Sequence, residues 1–163
     1  MCFSPVPTNR PFSIKLKRKM ILPRLPFNSN SGSGTMSNQV AGTATALNTN
    51  TFTRTGYTFA RWSTAADGTG TSYASGLTTY TSTGSRTLYA QWKAVITFNG
   101  NTNSGGTAPA IVNAITSTIT LPSNTGSLVK TGYSFAGWNT AANGTGTTYA
   151  AGDSFPITGT ATL

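Results

Sequence analysis

The sequence predicts a mostly β protein made of two tandem copies of one small unit, and three observations carry that expectation. Residues 55–76 (TGYTFARWSTAADGTGTSYASG) and 131–152 (TGYSFAGWNTAANGTGTTYAAG) are identical at 16 of 22 positions at a constant offset of 76, and self-similarity of that kind marks a repeat. Charged residues make up only 8% of the 163, far below the usual quarter, so Thr, Ser, Asn and Gly must supply the polarity. Glu is absent and helix formers are scarce. Thr suits a pleated surface, and frequent Gly and Asn suit turns.

The repeat extends beyond this block. LPFNSNSGSGTM (25–36) faces ITFNGNTNSGGTAP (96–109), with Phe27 matching Phe98 at an offset of 71. Downstream, SRTLYAQW (85–92) faces GTATL (159–163), and nothing in the second copy matches Tyr89, Ala90, Gln91 and Trp92. The expected layout is a basic, Pro-containing disordered extension over 1–24, a first unit over 25–93, and a second over 94–163 that stops one strand short. Units of this length lie near the lower limit for an independent core. An absent last strand leaves an open sheet edge, so the second unit is expected to be the less stable.

Taken in order, a short strand is expected at Pro26–Asn28, before the turn-rich SNSGSG. Gln39–Leu47 is small and polar and fits a weak strand or a short helix. Thr53–Ser63 is the clearest strand candidate. Simple alternation there puts Tyr57, Phe59 and Arg61 on one side and Thr58, Ala60 and Trp62 on the other. Ala65–Gly68 is a turn signal, after which Tyr73 returns to the core. In the strand Thr87–Lys93, Leu88, Ala90 and Trp92 share one face, and Tyr89, Gln91 and Lys93 share the other. Only Lys93 and Ala94 separate it from the next strand, Val95–Asn99, so the pair is expected to be stiff and extended.

The formal net charge of +9 belongs mostly to the tail. Arg10, Lys15, Lys17, Arg18, Lys19 and Arg24 contribute +6, and residues beyond 24 contribute +3. A segment such as Lys15–Lys19 can attract anions or nucleic acid in a salt-sensitive way. It lacks interleaved stacking aromatics and any nucleic-acid fold signature, so a solvated tail is the simpler reading. A small anion- or nucleic-acid-binding protein using residues 10–24 is the alternative function. The single Cys2 cannot form an intrachain disulfide, and no apolar run reaches membrane-spanning length. Met20–Leu22 before Pro23 is too short for the apolar part of a secretory signal, so no competent signal is expected.

Catalysis is disfavoured because the sequence has no His and two acidic side chains, Asp67 and Asp153, which are not repeat counterparts. General acid–base and nucleophilic chemistry need groups that are missing here, so catalytic residues are read as none. AADGTGTSY superficially suggests a calcium loop, but calcium requires several oxygen ligands. The second copy has Asn143 in place of Asp67, which a turn explains; metal and cofactor are read as none. The aromatics Tyr57, Phe59, Trp62, Tyr73, Tyr89 and Trp92 could form a sugar or peptide platform. In so small a unit they are read as core, each contributing roughly 1.5–3 kcal/mol if fully buried. No binding residue is singled out.

The series GYTFARW, STAADGTGTSY and TLYAQW, with the opening ITFNGNTNSGG, resembles the Listeria–Bacteroides repeat, also called the internalin B-type B-repeat. The resemblance covers about residues 25–163. It implies tandem small β-grasp-like (ubiquitin-like) domains strung along secreted or wall-attached bacterial surface proteins. These act as spacers or stalks and as protein-interaction or adhesion segments, with no catalytic residues to carry over. Implied partners are a host or neighbouring-cell surface protein or a polysaccharide, and the implied location is extracellular or at the cell surface. The sequence departs from the pattern at Arg61, where the motif and the second copy (Gly137) have Gly. It also lacks the second TLYAQW, a visible signal peptide and a wall-sorting tail, so a fragment of a larger surface protein or a shortened gene is expected.

Overall fold

A computed structural model describes residues 22–40, 44–77, 80–81 and 84–163. The extension up to residue 21, with five of its six basic residues, lies outside the described residues. The described residues form strands, bridges, turns and irregular segments, with no helix among them. Of Gln39–Leu47, Gln39–Val40 is strand and Thr45 bridges to Tyr80, while residues 41–43 lie outside the described residues.

In the first unit β1 (Arg24–Leu25) pairs antiparallel with β3 (Gln39–Val40). Arg24, assigned from the sequence to the extension, is thus the first strand residue. β2 (Phe27–Asn28) lies parallel to the start of β6 (Leu88–Thr97), with Phe27 opposite Leu88. β4 (Thr58–Ser63) lies antiparallel on β6, and β5 (Ser72–Tyr73) lies antiparallel on β4. Tyr89 is therefore flanked on both sides, by Asn28 and Ser63. Trp62 is fully buried at the centre, with the rings of Phe27, Phe59 and Phe52 at 4.8, 4.9 and 6.1 Å.

Simple alternation fails in β4. Phe59 pairs with Trp92 and Arg61 with Gln91, so the register slips by one between them. The extra residue is a β-bulge, which breaks the two-residue period. Phe59, expected opposite Trp62, packs against it instead. In β6 the alternation holds, with Leu88, Ala90 and Trp92 buried. Gln91, on the other face, is buried as well, because the 65–68 turn covers it and its amide donates to the carbonyls of Ala65 and Ala66.

The two expected strands Thr87–Lys93 and Val95–Asn99 are one. β6 runs unbroken through Lys93 and Ala94, and its second half serves the second unit. There β7 (Val112–Ala114) pairs antiparallel with Ala94–Ile96, and β12 (Ala161–Thr162) pairs parallel with Ile96–Thr97. β8 (Thr118–Thr120) pairs with β11 (Ser154–Pro156), and β9 (Trp138–Asn139) with β10 (Thr148–Tyr149), both antiparallel. The inward alternation continues through Ala94, Ile96 and Phe98 into a second core around Trp138. Counterparts recur between the cores: Phe27 and Phe98, Phe52 and Leu128, Trp62 and Trp138, Tyr80 and Phe155, Leu88 and Leu163. Within the sequence, Ala90 and Trp92 of the first core have none.

Candidate functional site

The acidic residues serve turns. Asp67 Oδ1 accepts hydrogen bonds from the Thr69 backbone N–H (3.0 Å) and hydroxyl (2.8 Å). These two donors, the backbone one foremost, hold the carboxyl below its ordinary value of 3.8. Asn143 Oδ1 accepts the same pair from Thr145, at 3.1 and 2.7 Å. One geometry built with Asp and with Asn needs no cation. Asp153 Oδ2 accepts from the Ala150 N–H at 2.7 Å. Among the described residues no three His, Cys, Asp or Glu side chains gather.

Two surfaces distinguish the molecule. The first is the junction between units. Besides β6 itself, Gly56 O accepts from the Thr160 N–H at 2.7 Å, and the Tyr57 hydroxyl donates to Ile157 O at 3.1 Å. Tyr57 packs against both cores, with the Arg54 guanidinium 3.9 Å from its ring centroid. Both junction glycines have positive φ, +76° at Gly56 and +154° at Gly159, which a side chain adopts only with strain. That lets the two backbones pass closely.

The second surface is a groove of about 840 Å³ in the second unit. One wall is the loop Asn99–Asn103, and the other is Tyr133–Gly144, with Leu163 at one end. In the first unit the corresponding space, between Asn28–Gly32 and Thr58–Gly68, is filled by Tyr89–Trp92. There Trp92 Nε1 donates to Ser29 O (2.9 Å) and Asn30 O (3.1 Å), and Asn30 Nδ2 donates to Ala90 O (2.9 Å) and Ala66 O (2.7 Å). The second unit has the same two walls. Asn101 Nδ2 donates to Ala142 O at 2.8 Å, the counterpart of the Asn30–Ala66 bond. Asn30 and Asn101 have φ of 48° and 47°, so the loop bends alike in both. Ser134–Ala136, matching Thr58–Ala60 of β4, lie outside any strand. Val129, Tyr133 and Phe135 on its walls are 56%, 75% and 37% exposed.

Of the aromatics named from the sequence, Trp62 and Trp92 are buried, while Tyr57, Phe59 and Tyr73 pack half-buried on the first core. Tyr89 is half-buried on the outer face of β6. They form no shared exposed platform. The junction role of Gly56, Tyr57, Gly159 and Thr160 was not foreseen from the sequence. A signal existed in the two-residue spacing at Lys93–Ala94, too short for a linker between separate sheets.

No helix among the described residues is long and apolar enough to cross a membrane. Over 114 residues, 63% of this chain, the sequence is 40% identical to a protein of Evansella cellulosilytica named as a Gly-rich membrane protein. The chain spans 13% of that relative's length. No solved structure matches. The family profile described as Listeria-Bacteroides repeat domain matches twice, over residues 24–91 and 95–163. Two matched segments meeting within one continuous strand cover most of the sequence, and the chain belongs to the Listeria-Bacteroides repeat domain family.

Proposed function

We propose that the chain is a non-catalytic spacer or stalk module of a bacterial cell-surface or secreted protein, offering its exposed faces for protein interaction or adhesion. The observation that carries this reading is β6, the last strand of one unit and the first of the next. A hinge would need a break in that strand, and Ala94, where it passes from one unit to the next, is fully buried. The Tyr57–Ile157 and Gly56–Thr160 hydrogen bonds brace the same junction. Such coupling suits a part that holds other parts at a distance. The missing general acid–base groups and the use of both aspartates in turns support a non-enzymatic role. The parallel pairing of β2 with the start of β6 in the first unit, and of β12 with its end in the second, supports a β-grasp-like arrangement of each unit.

Small-angle scattering of the chain tests the spacer role. An elongated particle is expected, and a near-spherical one overturns the reading. Surface location is tested on intact cells with an antibody to the repeats. Labelling before permeabilisation is expected, and labelling seen only afterwards contradicts it.

A further inference from the structure

One turn is built twice in this molecule, once on an acid and once on an amide. Asn143 Oδ1 accepts from the Thr145 backbone N–H and hydroxyl, as Asp67 Oδ1 does from those of Thr69. Gly144 N donates to Ala141 O at 2.9 Å, and Gly68 N to Ala65 O at 3.1 Å. The two glycines have φ of +78° and +81°. The fold therefore accepts either side chain here without moving the turn. Asp67 and Asn143 are both exposed. The position faces water even in the first unit, where Gln91 of β6 packs alongside.

Asn followed by Gly is a pair with its own chemistry. The main-chain nitrogen after an asparagine can attack the side-chain amide carbon, and Gly, with no Cβ, leaves that approach unobstructed. At Asn143 the amide oxygen already receives two donors, at 3.1 and 2.7 Å. They sit where negative charge collects during attack. A second Asn–Gly pair, Asn99–Gly100, is placed differently. Gly100 is half-buried, and a Cβ on it would run into the Asn103 side chain and lie 3.1 Å from that of Leu128. Asn99 Oδ1 receives the Asn101 backbone N–H.

We propose that Asn143–Gly144 is a self-modification site, where water converts the asparagine to aspartate and isoaspartate without an enzyme. Gly144 N loses its proton to solvent base and forms a bond to Asn143 Cγ. The Cγ–Nδ2 bond breaks, and the departing nitrogen takes up a proton and leaves as ammonia. The chain then carries a five-membered imide, and water adds at one of its two carbonyls. Addition at Cγ restores the main chain with an aspartate side chain. Addition at the main-chain carbonyl leaves the chain linked through Cγ, as isoaspartate. The net exchange is amide plus water to acid plus ammonia, with no oxidant or reductant. The aspartate form copies the first unit, and the Thr145 donors favour its ionised carboxylate. The isoaspartyl form inserts a methylene into the backbone and so loses the Ala141–Gly144 turn. Either product adds a negative charge to the surface of the second unit with time. None of this chemistry depends on the spacer role.

The test is incubation of the full folded chain at neutral and mildly alkaline pH. Peptide mass mapping reads the amide-to-acid exchange, and enzymatic methylation of isoaspartyl groups separates the two products. Both acids are expected to accumulate at position 143, faster than at Asn99, with a rate that rises in proportion to hydroxide. Asp67→Asn places the same pair in the first unit and is expected to convert at a comparable rate. Gly144→Ala, followed in buffer and in denaturant, is expected to slow conversion at least about tenfold in both, since a Cβ crowds the attacking nitrogen. Asn143 left intact after Asn99 has converted, or a rate independent of pH, would overturn the proposal. So would an Asp67→Asn chain whose new amide persists while Asn143 converts, or a Gly144→Ala chain that converts as fast as the original.

Discussion

Trp62 and Trp138 occupy one position in the repeat but are satisfied differently. Trp138 Nε1 donates to Pro122 O at 2.8 Å, while the buried Trp62 Nε1 has no hydrogen-bond partner. Trp62 is held by the rings around it, so Trp62→Ala is expected to cost about 3–5 kcal/mol and to unfold the first unit in a chemical denaturation curve. A folded unit that had only lost a ligand would show the ring to be a binding surface. Position 61 separates the copies further. Gly137 has φ +140°, and a Cβ there would run into Tyr149 O. Arg61 sits in paired strand. Gly137→Ala is therefore expected to destabilise by about 1–3 kcal/mol, and Arg61→Gly by no more than about 1 kcal/mol, read from denaturation midpoints. At Asp67 the folded carboxyl lies below its unfolded value, so its contribution is present above 3.8 and lost as pH falls through the lower folded value. Asp67→Asn, copying Asn143, is expected to leave the thermal midpoint at neutral pH unchanged and to remove that acid-side slope. A lower midpoint at neutral pH would show that the charge does more than close a turn.

Among the elements, β6 decides the architecture. Its even-numbered residues from Leu88 to Ile96 read as one alternating apolar series, so the strand itself was legible in the sequence, as were Trp62, the Ala65–Gly68 turn and the duplicated block. What misled was the boundary between copies, because a repeat alignment ends a unit where the pattern ends, not where hydrogen bonding does. The bulge in β4 was hidden for a different reason: one extra residue leaves local composition unchanged while reversing which side chains face inward. The junction contacts join residues 100 apart, such as Tyr57 and Ile157, and no local pattern records them. Tyr57→Phe removes a hydrogen bond worth about 1 kcal/mol. It is expected to lower stability by that amount while leaving the strands of each unit intact, as judged by amide chemical shifts. Loss of strand shifts throughout would mean that the hydroxyl is needed to form the units rather than to join them.

Across the whole molecule the two units are alike in plan, and one strand serves both. The tandem plan was legible in the duplicated block. The groove was not, because it depends on the Asn99–Asn103 loop, which Asn101 bends as Asn30 bends the loop of the first unit. The shared strand remains the central claim, and residual dipolar couplings in one alignment medium test it most directly. Couplings from residues 24–92 and 95–163 are predicted to fit a single alignment tensor of one magnitude; two tensors of different magnitude would mean that the units move independently and would contradict the account.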